Sequence, residues 1–166
     1  MRTTKQWPAL VGFLALSYSA AGIGSFFTFR ALRSGWYRGL RRPGWTPPDR
    51  VFGPVWTILY TQMAISAWLV RRAAAHGNAN QARAGRVALV AWCAQLALNV
   101  GWPAAFFGSR SPALGVAVIA ALWLAIVATV GLSARVQKGA AALLLPYLGW
   151  TTFAAALNVA IWRRNR

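Results

Sequence analysis

The sequence predicts an all-α membrane protein built as a five-transmembrane-helix bundle. Its 166 residues include five runs of 20 to 24 residues without a charged side chain, and all 18 lysines and arginines fall in the gaps between these runs. A helix of about 20 apolar residues crosses the roughly 30 Å hydrocarbon core of a bilayer. The net charge of +17 would suit a soluble nucleic-acid-binding protein only if the basic residues covered one surface. Because they flank apolar runs instead, we expect them to meet lipid headgroups, and we expect no nucleic-acid partner.

The charge-free runs define the predicted spans, which are 8–29, 51–70, 87–109, 111–134 and 139–162. The first run is long for the apolar part of a signal peptide, and no clear cleavage site follows it. The polar segment 71–86 between the second and third runs is predicted to be a flexible loop. The last two loops are very short, so the last three spans must be antiparallel neighbours. We expect one integral, multi-pass membrane domain over residues 1–166.

Residues 30–50 form the long first loop, and the stretch RRPGWTPPDRVFGPVW covers its end at 41–56. This stretch holds four prolines, two tryptophans, three arginines and Asp49, the only carboxylate side chain of the protein. Proline fixes φ and removes an N–H donor, so the connector is stiff without being regular. Tryptophan favours the headgroup level of a bilayer. These features predict a rigid, basic connector at the membrane surface.

One acidic residue, one histidine and one cysteine leave few catalytic options. The usual hydrolytic constellations need more acids, bases and nucleophiles. The sequence has no metal-ligand cluster, so we expect no metal and no obligatory cofactor. The predicted spans contain no charged residue, which argues against a proton relay or a pump built on buried acids.

The ten tryptophans are the most informative residues of the spans. Trp123 and Trp150 lie at the centres of their spans, where an indole N–H needs a hydrogen-bond partner or a polar cavity. Gln95 and Asn99 share one helix face, and amides within a membrane usually bond to other helices. Simple helix packing explains any one of these residues as well as contact with a ligand does. A cluster of tryptophans from several helices would instead indicate a pocket for a flat apolar ligand.

Three blocks of the sequence stand out by their motifs: GWYRGLRRPGWTPPDRVFGPVWTILY at 35–60, AQLALNVGWPAAFFGSR at 94–110 and LLLPYLGWTTFAAALNVAIWR at 143–163. They contain W-Y-x-x-L-x-x-P-x-W-x-P-P, N-x-x-W-P followed by F-F-G, and P-Y-x-x-W. These blocks resemble the signatures of the tryptophan-rich sensory protein and translocator protein family (TspO/MBR), here in a bacterial form. The resemblance covers nearly the whole chain apart from its termini and the segment 71–86.

The resemblance implies a dimeric bundle of five membrane helices in a bacterial cell membrane. Such a bundle is expected to bind porphyrins, namely protoporphyrin IX and haem, below the loop 30–50, which acts as a lid whose arginines meet the propionates. By position, the family's ligand-binding residues fall on Tyr37, Phe52, Gly53, Trp56, Asn99, Trp102, Phe106, Leu114, Trp150, Ala154 and Leu157. The cholesterol motif of animal members is absent, because Val159 and Ala160 stand where tyrosines would be, and this puts sterol binding in doubt.

Two functions are weighed from the resemblance. The leading hypothesis is a tetrapyrrole-binding membrane protein that acts as a sensor, scavenger or transport helper. The alternative is an enzyme that degrades protoporphyrin IX under light, with Trp56 and Trp150 as its catalytic residues, because an indole can donate an electron to an excited porphyrin. A translocation pore is less favoured, since the spans lack charged residues and paired broken helices.

A stripe of small residues recurs every four positions on the third span: Cys93, Ala97, Gly101 and Ala105. Such a smooth face allows two helices to approach closely. We predict that it forms a homodimer interface, and packing of the same face within the chain is the alternative.

Overall fold

The computed structural model describes residues 7–166, which contain helices and no β-strand. The α-helices in chain order are α1 (Trp7–Arg33), α2 (Trp36–Gly39), α3 (Phe52–His76), α4 (Ala79–Pro103), α5 (Pro112–Ala134) and α6 (Lys138–Arg164). A 3₁₀ turn, Asp49–Val51, precedes α3, and a π-helical turn, Ala104–Gly108, extends α4. The lid is therefore the segment 34–51, which contains the short helix α2.

Four helices are long and apolar enough to cross a membrane: α1, α4 with its π-helical extension, α5 and α6. Helix α3 has 25 residues, but its most apolar stretch is less apolar than the corresponding stretches of these four helices. The prediction of an all-α, multi-pass membrane protein is confirmed. Of the five predicted spans, four are confirmed.

The segment between α3 and α4 corrects one prediction. Residues 71–86 were expected to be a flexible loop, but only Gly77 and Asn78 separate the two helices. The side chain of Asn78 accepts a hydrogen bond from the Gln81 N–H at 2.9 Å and caps α4. The helices thus continue past the charge-free runs, because arginine near a helix end can extend its charged group to the headgroups.

The five long helices form a ring in the order α1, α3, α6, α5, α4, and α3 also packs against α4. The predicted contacts of the last three long helices, α4 with α5 and α5 with α6, are confirmed. Successive helices alternate in direction, so the lid lies at the same end as the C-termini of α1, α4 and α6. We call this the lid end, and the opposite end the distal end.

The distal half of the ring is filled by side chains. Met63 and Ala64 of α3 and Ile126 of α5 are completely buried. A second buried group closes the distal end, and its members are Val70, Ala88, Val136 and Ala140. The Ser66 hydroxyl donates to the Ala140 carbonyl at 2.8 Å and ties α3 to α6. This half of the protein has little room for a ligand.

Pro103 changes the course of α4 at the lid end. Because proline has no N–H, the regular hydrogen-bond pattern is interrupted, and the chain widens into the π-helical turn. The Ser109 N–H closes this turn on the Ala104 carbonyl at 2.9 Å. The turn stacks Phe106 on Trp102 with ring centroids 5.5 Å apart and an interplanar angle of 25°. The proline therefore builds an aromatic wall at the lid end of the ring.

Candidate functional site

A cavity of about 500 Å³ lies in the lid half of the bundle. All five long helices, α2 and Asp49 contribute to its walls. Ten of the eleven residues that the sequence assigned to ligand binding line it: Tyr37, Phe52, Gly53, Trp56, Asn99, Trp102, Phe106, Trp150, Ala154 and Leu157. The structure thus brings these residues together around one space, and their part in binding stays a prediction.

Leu114 is the exception, because it does not line the cavity. It lies in the first turn of α5, where its N–H donates to the Ser111 hydroxyl at 3.2 Å, and its side chain is 46% exposed. The next residue, Gly115, faces inward and lies against Phe106 and Asn158. One step along a helix turns the side chain by about 100°, so an assignment shifted by one position points away from the cavity.

Aromatic rings pack against both candidate catalytic tryptophans. Trp56 of α3 lies 5.5 Å from Tyr60 and 6.3 Å from Tyr147, measured between ring centroids. Trp150 of α6 lies 5.7 Å from Phe52 in an edge-to-face arrangement. The two indoles therefore lie on different helices but face the same cavity, and their neighbours restrict their movement.

Asn99 joins three helices where it borders the cavity. It accepts a hydrogen bond from the Tyr60 hydroxyl at 2.6 Å, and its Nδ2 donates to the Tyr147 hydroxyl at 2.7 Å. All three side chains are buried. The interpretation of Asn99 as a link between helices is confirmed, and the same residue also faces the cavity.

Asn158 is a cavity residue that the sequence did not assign to the site. Its Oδ1 accepts a hydrogen bond from the Trp102 indole at 2.9 Å, and its Nδ2 donates to the Pro112 carbonyl at 2.9 Å. Asn158 therefore connects α6 both to the aromatic wall of α4 and to the first turn of α5. The sequence predicts that an amide within a membrane helix bonds to another helix, but it does not show to which one.

Two completely buried polar atoms in the cavity wall have no partner within residues 7–166, namely the Trp150 Nε1 and the Thr151 hydroxyl oxygen. Trp123, the other tryptophan predicted to need a partner, donates its N–H to Thr152 Oγ1 at 2.8 Å. Thr57, a second threonine of the cavity, donates to the carbonyl four residues earlier in its helix. An unpaired buried donor costs free energy, so Trp150 and Thr151 can gain a hydrogen bond from a suitable ligand.

The stripe of small residues on α4 divides between two environments. Cys93 and Ala97 are exposed on the outside of the bundle. Gly101 lies close to Val118 of α5, and Ala105 is only 6% exposed within its own chain. Ala105 therefore does not belong to the predicted dimer surface, because the π-helical turn rotates this end of α4 into the bundle.

The lid end is strongly basic. Ten of the 18 basic residues lie there: Arg30, Arg33, Arg38, Arg41, Arg42, Arg50, Arg110, Arg163, Arg164 and Arg166. Asp49 lies at the rim of the cavity and has no ion-pair partner in the described part of the chain. Trp45 packs against Phe153 of α6 at 5.7 Å between ring centroids, so the lid rests on the cavity wall.

Comparison with known proteins shows the family of this chain. Residues 13–163 match the model of the TspO/MBR family. The chain is 40% identical to the tryptophan-rich protein TspO of Chlorobaculum tepidum, over 97% of this chain and 98% of that protein. It is 38% identical to the human translocator protein, over 96% and 91% of the two chains. It is 33% identical to the tryptophan-rich sensory protein of Cereibacter sphaeroides, over 96% and 92%. The protein therefore belongs to the TspO/MBR family of integral membrane proteins.

Proposed function

We propose that the protein binds a porphyrin, protoporphyrin IX or haem, in the cavity and acts as a sensor, scavenger or transport helper for it. The observation that carries this proposal is a cavity with aromatic walls that lies beneath a lid rich in arginine. Small-molecule pockets usually measure about 300–1,000 Å³ and are mostly apolar with a few polar groups. A cavity of about 500 Å³ falls within this range. A porphyrin has the matching chemistry, since it combines a flat apolar ring with two carboxylates on one edge.

The experiment is a titration of the detergent-solubilised protein with protoporphyrin IX, followed by quenching of tryptophan fluorescence. Ala154 lines the cavity, whereas Ala156 is exposed on the outside of the same helix. Ala154→Phe should fill the cavity and weaken binding about tenfold, because overpacking costs about 1–3 kcal/mol. Ala156→Phe is the matched control and should bind like the parent. Equal affinities for both variants would contradict the proposed site.

A second candidate function is light-driven degradation of protoporphyrin IX. It is supported by the position of Trp56 and Trp150, which face the same cavity from two helices. The buried Trp150 indole N–H has no partner among the described residues, so it is available to donate to a bound ligand. An excited porphyrin can take an electron from an indole, and this step requires neither a general acid nor a general base.

Two measurements on Trp56→Phe and Trp150→Phe separate binding from degradation. One is the affinity for protoporphyrin IX in the dark, and the other is the rate at which its Soret band bleaches under illumination. If the protein degrades the porphyrin, either substitution should abolish bleaching while much of the binding survives, because an aromatic face remains. Trp123→Phe, outside the cavity, is the control. Unchanged bleaching in both cavity variants would rule out these tryptophans as electron donors.

We infer that α3 is the fifth membrane span. Its 25 residues correspond to about 37 Å at about 1.5 Å per residue, which exceeds the hydrocarbon core. Helix α3 contacts α1, α4 and α6, so much of its surface faces other helices rather than lipid, and a lower hydropathy suffices. With Cys93 replaced by alanine, Arg50→Cys and His76→Cys in reconstituted vesicles should react with a charged maleimide from opposite sides. Reaction of both from the same side would contradict the fifth span.

A further inference from the structure

The C-terminal end of α6 fastens the lid. Asn165 pairs its side-chain amide with both backbone groups of Arg41: the Arg41 N–H donates to Asn165 Oδ1 at 3.0 Å, and Asn165 Nδ2 donates to the Arg41 carbonyl at 3.1 Å. The same Nδ2 donates to the Ile161 carbonyl at 2.8 Å, which fixes the amide on its own helix. Arg164 Nη1 donates to the Arg42 carbonyl at 3.2 Å. We call these four hydrogen bonds the lid clamp.

The lid clamp matters because the segment it holds has no regular structure of its own. Residues 41–43 lie outside any helix, and Pro43 has no N–H to donate. A segment of this kind makes few backbone hydrogen bonds within itself. The position of residues 41–43 is therefore set largely by the α6 end, whose side chains form hydrogen bonds with their backbone.

The residue held in place by the lid clamp is Arg42. It is half-buried, whereas the other basic residues of the described part of the chain are exposed. Its guanidinium lies 4.9 Å above the centroid of the Tyr37 ring, and Tyr37 lines the cavity. Arg42 also borders a polar hollow in the lid together with Thr46 and Asp49, and Asp49 borders the main cavity as well. Arg42 thus lies beside the mouth of the cavity.

The Arg42 guanidinium has free hydrogen-bonding capacity. Within residues 7–166 it has no hydrogen-bond or ion-pair partner, and its Cζ lies over the face of the Tyr37 ring. A cation–π contact is an attraction between the charge and the ring face, so it leaves the N–H donors of the guanidinium available for hydrogen bonds. A guanidinium presents these donors in a planar fork that matches the two oxygens of a carboxylate.

We propose that Arg42 receives a carboxylate of the ligand at the cavity mouth and that Asn165 is the residue that positions Arg42. This inference rests on the proposed function, since it assigns the acidic end of the bound porphyrin to one side chain. In this proposal, Asn165 acts through the backbone of Arg41, the neighbour of Arg42, and does not touch the ligand itself. The protein should therefore discriminate between ligands by their carboxylates, and this discrimination should depend on Asn165.

The test compares protoporphyrin IX with its dimethyl ester, which keeps the ring but loses both negative charges. The parent should bind the free acid about tenfold more tightly, as expected for a charge-assisted hydrogen bond. Arg42→Gln should remove this preference, and Asn165→Leu should remove most of it although the guanidinium is still present. Arg166→Gln is the matched control, because it removes the same charge at the same helix end, where the guanidinium lies 4.3 Å from the Trp162 centroid instead.

Three further readouts separate positioning from a merely structural role. Asn165→Leu should leave the affinity for the ester unchanged, and the double variant with Arg42→Gln should show no additional loss. In the empty protein, Asn165→Leu should speed hydrogen exchange at the Arg41 amide. A preference for the acid that survives in Asn165→Leu, or an equal loss for acid and ester, would overturn the role of Asn165. A parent that binds both compounds equally would overturn the role of Arg42 alone, and one that binds neither would overturn the proposed function as well.

Discussion

At the scale of single residues, Gly115 is the position where an added methyl group should disturb the packing of the cavity wall most. A Cβ at this position would lie 2.8 Å from both Phe106 Cδ2 and Asn158 Oδ1. Gly115→Ala should lower the free energy of unfolding by about 1–3 kcal/mol, because a well-packed site must shift to admit the added atom. Porphyrin affinity should fall too, since Asn158 holds the Trp102 indole.

The measurement is the thermal midpoint in detergent together with a porphyrin titration. Leu114→Ala is the control, because its side chain is 46% exposed and substitutions at such surface positions usually change stability by less than about 0.5 kcal/mol. If Gly115→Ala melts and binds like the parent, the close packing of α5 against α6 at this point is not as described.

Single residues also differ in whether their place in the site could be predicted from the sequence. Trp150 and Ala154 lie one turn apart on one helix, and this spacing predicts that both face the same side. Leu114 was assigned by its position in the family resemblance, and it lies one residue before Gly115, which packs against Phe106 and Asn158 instead. The sequence does not single out Arg42 among the arginines of the lid, since the hydrogen bonds between Asn165 and the Arg41 backbone join residues 124 positions apart. Thr151 resembles any other helical threonine in sequence, and only the structure shows that its hydroxyl is unpaired.

At the scale of elements, the outer face of α4 is the surface where we propose that two copies meet. Val90 is 69% exposed, and Cys93 and Ala97 lie on the same side of the bundle. Ala97→Phe should convert a detergent-solubilised dimer to a monomer, because a bulky ring prevents close approach of two helices. Leu124→Phe, at an exposed position of α5, should leave the mass unchanged when it is measured by light scattering.

A crosslink gives an independent check on this interface. Cys93 is exposed, and it is the only cysteine of the chain, so a short bis-maleimide can join two copies only through this residue. Efficient crosslinking in the parent and its loss in Ala97→Phe would support the α4 interface. A parent that runs as a dimer but does not crosslink would place the contact on another helix.

The elements also differ in how well the sequence predicted them. The charge-free run 111–134 nearly coincides with α5, Pro112–Ala134, whereas α4 begins at Ala79, well before the run at 87–109. A run without charges reports the part of a helix that lies in hydrocarbon, and a helix can continue beyond it. The π-helical turn after Pro103 was not predicted either, because a proline within a membrane helix can cause a kink, a π turn or neither.

At the scale of the whole molecule, the bundle divides into a packed distal half and a lid half that contains the cavity. Tyr60 and Tyr147 lie where the two halves meet, and both are buried. Their hydrogen bonds to Asn99 connect α3, α4 and α6 at this level. The distal half therefore holds the helices in place, and the lid half can keep a cavity without losing the fold.

This division predicts that stability and binding can be changed separately. Gly85 of α4 packs against Ala74 of α3 near the distal end, and a Cβ on Gly85 would overlap the Ala74 side chain. Gly85→Ala should lower the free energy of unfolding by about 1–3 kcal/mol through overpacking. Its affinity for protoporphyrin IX should equal that of the parent, because the cavity walls lie in the other half. Gly12→Ala is the control, since no atom lies within 4 Å of the added Cβ.

Ligand binding supplies the decisive comparison for Gly85→Ala. A ligand that binds only the folded protein stabilises it by about 2.7 kcal/mol at a concentration 100 times its dissociation constant. Saturating porphyrin should therefore raise the thermal midpoint of the parent and of Gly85→Ala by similar amounts, and most of the stability lost in the variant should return. If Gly85→Ala also weakens binding, the distal packing and the cavity are coupled through α3 and α4, and the two halves do not act independently.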